Sequence, residues 1–261
     1  MFELVQEAMP TQGRVYKRRL ADVGPRPRKR SGPTTVSSQS GLRLTFLQDA
    51  PALAPASPMR SVQLALKRAM DVLLSAIALI VLAPALVAIA LSIWATSAGP
   101  IVFYQTREGF NGKPIKVYKF RTMYTDRCDI SGIAQTASED NRITSIGRFL
   151  RRKSLDELPQ LFNILKGEMS LIGPRPHVFG MLAGGTTYER LVPYYTTRQT
   201  MKPGLSGWAQ ANGLRGPTDN AAQALARVDH DLAYIENFSL LLDIKIIWKT
   251  LRQEFLSGTG L

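Results

Sequence analysis

The stretch Val72-Leu-Leu-Ser-Ala-Ile-Ala-Leu-Ile-Val-Leu-Ala-Pro84-Ala-Leu-Val-Ala-Ile-Ala-Leu-Ser-Ile-Trp-Ala95 carries no charge in 24 residues, and its only hydroxyls belong to Ser75 and Ser92. As a helix it reaches roughly 36 Å at 1.5 Å per residue, comparable with the ~30 Å hydrocarbon core of a bilayer. A helix buried in a soluble protein would be unusual if apolar on every face. A secretory signal is excluded by the roughly 70 residues ahead of the stretch and by the length of its apolar run. The sequence therefore predicts membrane insertion over residues 63–98.

The flanks decide how it inserts. Lys67 and Arg68 precede the stretch, and Arg107, Lys113, Lys116, Lys119 and Arg121 follow it. Positive charge on both sides keeps both ends cytoplasmic under the positive-inside rule. Pro84, at the middle, deletes the hydrogen bond from its own nitrogen to the carbonyl of Ile80. Spanning helices also tolerate such prolines, so the charges carry the argument. The expectation is a re-entrant hairpin, helix–break–helix, bending at Ala83-Pro84.

Lys and Arg outnumber Asp and Glu by 33 to 20, a net charge of +13. Nucleic acid, anionic lipid and phosphorylated substrates are the matching partners. Nucleic acid gives no reason for the apolar stretch and is set aside. Cys128, the single cysteine, excludes an internal disulfide and a cysteine-rich zinc site. His177 and His230, the only histidines, make a poor histidine-based metal site.

Residues 1–62 hold Arg26-Pro-Arg-Lys-Arg30 and Pro51-Ala-Leu-Ala-Pro-Ala-Ser-Pro58, with neither helical nor strand periodicity. A disordered basic tail is expected, either touching anionic headgroups or simply solvated.

Residues 99–261 are expected to form a small cytoplasmic domain. Ile101 to Arg107 and Pro114 to Met123 read as strands around a turn at Gly109 to Gly112. In the second strand, alternation puts Ile115, Val117, Lys119 and Arg121 on one face and Lys116, Tyr118, Phe120 and Thr122 on the other. Cations on both faces fit a phosphate-facing surface or an ordinary solvated edge. Residues 126–141 read as a polar loop, and Ser145 to Arg152 as a helix.

Next comes Arg151-Arg-Lys-Ser-Leu-Asp-Glu-Leu-Pro-Gln160, two adjacent carboxylates just after three cations. Ser154 with Glu157 three residues on has the form of a capping box. Pro159 argues against a regular first turn, because it lacks an N–H and clashes with the carbonyl of Leu155. Cations beside an acidic pair also suit a site for a metal and a phosphorylated ligand. Gly167 stops the following helix. In Pro174-Arg175-Pro176 the prolines hold the backbone extended, so Arg175 projects from a stiff mount. Its planar, five-donor fork suits a phosphate.

Met201 to Gly213 is a shaped loop in which Trp208, Gln210 and Asn212 are candidates for base or sugar contacts. Asn220 to Asn237 is amphipathic at helical spacing. Phe238 to Trp248, with Lys249 and Arg252, suits a helix in the membrane interface or one packed on the hairpin. The expected class is α+β, mostly helical.

Taken together, Lys67-Arg-Ala-Met-Asp71 before an apolar run, Tyr118-Lys-Phe-Arg-Thr-Met123, Ser154-Leu-Asp-Glu-Leu-Pro-Gln160, Gly173-Pro-Arg-Pro176 and Lys202-Pro-Gly-Leu-Ser-Gly-Trp-Ala-Gln-Ala-Asn-Gly213 resemble the bacterial sugar transferase family of monotopic phosphoglycosyl transferases. The resemblance covers about residues 64–256. His177 after the P-R-P, and Tyr234-Ile-Glu-Asn-Phe-Ser-Leu-Leu-Leu-Asp-Ile-Lys-Ile-Ile247, look more like the branch acting on undecaprenyl phosphate and UDP-hexoses. It implies transfer of a hexose 1-phosphate from a UDP-sugar to undecaprenyl phosphate at the cytoplasmic face of the bacterial inner membrane, releasing UMP and opening exopolysaccharide assembly. The family's covalent intermediate carries over to Asp156 as nucleophile and Glu157 as Mg²⁺ ligand. Lys119, Arg121, Arg151, Arg152 and Arg175 are the candidate phosphate contacts. Lys67, Arg68 and Asp71 are placed at headgroup level, where the cations meet the lipid phosphate. The competing reading is a non-catalytic membrane-anchored scaffold. The motifs leave the hexose and the oligomeric state open.

Overall fold

A computed structural model describes residues 34–37, 43–46, 58–126, 140–218 and 220–257. The basic run Arg26–Arg30, Cys128 and most of the expected polar loop lie outside the described residues. Two short strands, β1 (Thr34–Ser37) and β2 (Arg43–Phe46), pair antiparallel within the stretch expected to lack regular structure. Their β-branched and aromatic residues favour strands, but four-residue runs are too short to show a period of two.

The long helix α1 (Pro58–Thr96) runs through Pro84 without interruption. The expected helix–break–helix pattern is corrected in that respect. A proline forfeits one hydrogen bond, and an apolar segment gains nothing by surrendering the rest of its ladder. Within the most apolar 18-residue window of α1 only 6% is buried in the protein, whereas a soluble core helix would be mostly covered. Leu73, Ile80, Val81, Val87 and Leu91 lie exposed along it.

The opposite side of α1 touches the rest of the protein at both ends and in between. Near its start, Lys67 Nζ donates to Asp243 Oδ2 at 2.6 Å, and Arg68 donates to the carbonyls of Ile164 and Leu165. Ala78 and Leu79 pack on Val117, Leu161, Ile164 and Met169. Towards its end, Leu86, Ile89 and Ala90 surround the buried group Ile93, Phe120 and Leu150.

Strands β3 (Val102–Glu108) and β4 (Pro114–Phe120) form an antiparallel hairpin, with Val102 opposite Phe120 and Glu108 opposite Pro114. Helix α2 (Ser145–Arg152) starts at Thr144, whose hydroxyl accepts from the Gly147 amide. A Cβ on Gly147 would sit 2.1 Å from the carbonyl oxygen of Thr122, so only glycine lets α2 lie this close to the end of β4. After a 3-10 turn, α3 (Gln160–Lys166) ends at Gly167 with φ 85°, as its sequence predicts.

Strand β5 (Ser170–Ile172) leads to Pro174-Arg175-Pro176, then to the small hairpin β6 (Leu182–Ala183) and β7 (Thr186–Thr187), and helix α4 (Tyr188–Leu191). A 3-10 segment, Tyr195–Thr200, precedes β8 (Gly204–Ser206), which pairs parallel with β5. Helices α5 (Trp208–Ala211), α6 (Ala221–Glu236) and α7 (Leu240–Ser257) complete a mostly helical α+β arrangement. On α7, Leu242 and Ile246 join a core with Ile172, Trp208 and Tyr234. Leu241 (79% exposed), Ile244, Trp248 (70% exposed) and Leu251 stay on its outer side.

Candidate active site

The acidic pair sits on a short 3-10 turn, Leu155–Glu157, entered through Ser154 in the left-handed region (φ 53°). That reversal sends the chain back after α2 and presents both carboxylates to the end of β4. The Ser154 side chain makes no capping hydrogen bond, so the capping box does not form. Glu157 instead accepts from cations, and charge-assisted bonds are the stronger choice. Glu157 Oε1 is 2.7 Å from both Lys119 Nζ and Arg175 Nη2. Asp156 Oδ2 is 3.9 Å from Lys119 Nζ and makes no closer ion pair among the described residues.

The neighbouring acids therefore sit in different fields. Burial pushes the Asp156 carboxyl up; Lys119 opposes the rise and the charge on Glu157 adds to it. Burial acts on Glu157 in the same sense, but Arg175 and Lys119 overcome it and hold Glu157 well below the usual carboxylate range. Burial lowers Lys119, while Glu157 raises Arg175. Environments that drive paired acids apart are a mark of divided chemical roles. Arg175 keeps 38% of its side chain exposed, so the cluster opens to solvent on that side.

Of the other predicted cations, Arg151 belongs here. Its Nε donates to Thr122 Oγ1 at 2.8 Å, and its charge lowers Asp156. Arg152 is exposed. Arg121 is elsewhere: its guanidinium donates to the carbonyls of Pro100, Ile93 and Ser97, capping the C-terminal end of α1. Lys67, Arg68 and Asp71 do not stand free for a lipid phosphate. Lys67 is buried against Asp243, Arg68 covers the last carbonyls of α3, and Asp71 Oδ1 accepts from the Leu171 amide at 3.0 Å. Burial of Lys67 and Asp71, and the two carbonyls that engage half-buried Arg68, replace the water that the headgroup reading needed. Trp208 and Gln210 are also buried; Trp208 packs with Leu242 and Ile246, and Asn212 Oδ1 accepts from Lys249, so Trp208 and Asn212 shape the contact with α7.

Arg107 was missed as a site residue. It donates to the Pro176 carbonyl at 2.8 Å and to Gln105, and burial together with the charge on Arg175 lowers it to about 10. The one sequence signal was its place at the end of a strand paired with the cation-rich β4, which does not say which way it faces.

Among the described residues no group of three or more His, Cys, Asp or Glu side chains converges as a metal cage. Two adjacent carboxylates still fit Mg²⁺, which typically takes one or two protein carboxylates and fills its octahedron with phosphate oxygens and water. The Glu157 oxygens are engaged by Lys119 and Arg175, so an ion held here would share that carboxylate with the two cations.

Buried Asp156 and half-buried Glu157 thus lie among cations suited to phosphate groups, in a chain that also carries a long exposed apolar helix. The family model described as Bacterial sugar transferase matches residues 62–257, and the chain belongs to that family. It is 56% identical over 197 residues to the "Exopolysaccharide production protein PSS" of Rhizobium leguminosarum bv. phaseoli, covering 76% of this chain and 98% of that protein. It is 48% identical over 191 residues to the "Undecaprenyl-phosphate glucose phosphotransferase" of Komagataeibacter xylinus, covering 73% of this chain and 36% of that one. With the "UDP-glucose:undecaprenyl-phosphate glucose-1-phosphate transferase" of Escherichia coli (strain K12) the identity is 45% over 201 residues, 77% of this chain and 42% of the relative. The aligned region thus spans nearly all of the Rhizobium protein and under half of the other two.

Proposed function

We propose that this protein transfers a hexose 1-phosphate, glucose 1-phosphate first among candidates, from a UDP-sugar to undecaprenyl phosphate, releasing UMP. The observation that carries this is the split environment of Asp156 and Glu157. Asp156, without a short ion pair among the described residues, keeps lone pairs available for attack, whereas Glu157 is fixed by two cations. The printed names of the relatives from Komagataeibacter xylinus and Escherichia coli support the choice of substrates.

In the first step the Asp156 carboxylate attacks the β-phosphorus of the UDP-sugar. A bond forms from Asp156 oxygen to that phosphorus, the anhydride bridge to the α-phosphorus breaks, and UMP leaves with the bridging oxygen. In the second step an oxygen of the lipid phosphate attacks the same phosphorus. The acyl phosphate bond breaks and the Asp156 carboxylate returns. Splitting one transfer into two displacements predicts ping-pong kinetics. Lys119, Arg151, Arg175 and Arg107 surround the acidic pair and suit the charge that builds on the phosphates. Glu157, with Asp156 beside it, would hold Mg²⁺. When bound, Mg²⁺ neutralises phosphate charge and makes UMP a better leaving group.

The lipid acceptor lies in the bilayer and the nucleotide sugar in water, so the reaction belongs at the cytoplasmic face of the inner membrane. Contacts of α1 with the rest of the protein both at Lys67 and near Ser97 support keeping its two ends on one side of the membrane. The outward row Leu241, Ile244, Trp248 and Leu251 supports α7 lying in the interface. The test is UMP release from several UDP-sugars with undecaprenyl phosphate in detergent or nanodiscs. Intact-protein mass spectrometry then seeks a hexose-phosphate adduct that disappears in Asp156→Asn. Turnover with no adduct at any time would remove Asp156 from this role.

A further inference from the structure

Four successive carbonyls of the strap that carries Arg175 are each held. Pro174 O accepts from the Gly204 amide at 2.9 Å, and His177 O from the Glu108 amide at 2.8 Å. Pro176 O accepts from Arg107 Nη1 at 2.8 Å, and Arg175 O from Arg198 Nη2 at 2.6 Å. Two prolines already stiffen this segment, so its remaining freedom is rotation and translation as a unit. The four bonds remove that freedom. Three come from β3 and β8, on either side; the fourth, at Arg175 itself, comes from an arginine in the 3-10 segment.

Arg198 and Asp231 are 3% and 4% exposed. Arg198 Nε and Nη2 both reach Asp231 Oδ2, at 3.0 and 2.7 Å, and Nη2 also serves the Arg175 carbonyl. The Arg198 guanidinium lies 5.3 Å from the Tyr195 ring centroid, and the Tyr195 hydroxyl donates to Glu108 Oε2 at 2.6 Å. Glu108 is the residue whose amide holds His177 O. Neither Arg198 nor Asp231 bonds to Asp156 or Glu157. A buried ion pair is a poor source of stability, since desolvating both charges offsets most of their attraction. What this pair supplies is geometry: a rigid arginine spanning α6 and the backbone of the residue whose fork grips Glu157.

We propose that Arg198 and Asp231 are a positioning pair that sets the Arg175 guanidinium at the height and angle needed to meet Glu157 and the substrate phosphates. The proposal rests on the transferase reading above. Arg175 acts where charge is redistributed in the transition state, so loosening its mount lowers kcat more than it raises KM. A misplacement of about 1 Å can cost about a hundredfold in rate, which sets the upper scale of the effect.

The test is a double-mutant cycle on the full chain in nanodiscs, reading single-turnover UMP release and adduct formation. Arg198→Lys keeps a cation beside Asp231 but cannot make the same set of bonds. Arg175→Lys replaces the oriented fork with a flexible single cation that has no orientation to lose. The expected result is about a tenfold or greater fall in kcat for Arg198→Lys, with KM for the UDP-sugar moving less than about threefold. In the Arg175→Lys background the same change should alter the rate less than about twofold. Where Arg198→Lys fails to fold by thermal melt, Asp231→Asn, nearly isosteric, takes its place in the cycle. Losses that multiply across the two sites, or an unchanged rate in the single variant, overturn the positioning role alone. Absence of UMP release from the unaltered protein with every UDP-sugar sinks the transferase reading and this proposal with it.

Discussion

Arg175 grips Glu157 and not the adjacent Asp156: the shortest contact, Arg175 Nη2 to Glu157 Oε1, is 2.7 Å, with a second from Nη1 to Oε2 at 3.4 Å. The stiff P-R-P strap thereby singles out one of two neighbouring acids. Its companion is left with burial as the main influence on its proton affinity.

That division predicts unequal consequences of two isosteric changes. Asp156→Asn should lower UMP release by about a thousandfold or more and abolish the adduct, because a neutral amide replaces the anionic carboxylate nucleophile. Glu157→Gln should retain an adduct, formed on the order of a hundredfold more slowly, with a weakened response to added Mg²⁺. Mass spectrometry and a UMP assay over a Mg²⁺ series distinguish the two patterns.

The pH profile follows from the Asp156 environment. Attack needs the carboxylate, and burial raises its proton affinity, so activity should fall with decreasing pH above the ordinary Asp value of about 4. Lys119 opposes that rise, so Lys119→Met should move the acid limb to still higher pH. A limb unmoved by Lys119→Met in a kcat/KM profile would contradict this account.

Lys67 and Asp243 make a 2.6 Å buried pair between α1 and α7. Lys67→Met leaves Asp243, fully buried, without its cation and should cost about 3–5 kcal/mol. Lys67→Met combined with Asp243→Leu should recover most of the loss. Denaturant unfolding in detergent measures both. A role limited to lipid headgroups predicts little change in stability for either.

A cysteine introduced at Val62, an exposed position near the start of α1, tests the topology. If both ends of α1 stay on the cytoplasmic face, a membrane-impermeant thiol reagent reaches it in inverted vesicles and not from the periplasmic side. Trp248→Glu on the outer side of α7 should release a measurable fraction of the protein from membranes in a flotation assay, because a charge there disfavours the interface.

The sequence by itself determined the features set by local chemistry. Twenty-four uncharged residues in a row fix a long apolar helix whatever surrounds them. Ser145–Arg152 and the stop at Gly167 follow from helical pattern and a glycine's tolerance of positive φ. The acidic pair and the rigid Arg175 mount were visible as motifs. Only the tertiary structure decided which cations serve the site. Lys67, Arg68, Lys119, Arg121 and Arg175 carry the same charge in the sequence. Yet Lys67 meets a carboxylate 176 positions away and Arg121 meets carbonyls at the end of α1, while Lys119 and Arg175 converge on Glu157. Charge is a property of one residue, but its partner is chosen by long-range packing, because a buried cation must satisfy its hydrogen bonds with whatever acceptors the fold brings within reach. The role of Arg107 is set by packing for the same reason: nothing local distinguishes an arginine that faces solvent from one that braces the strap.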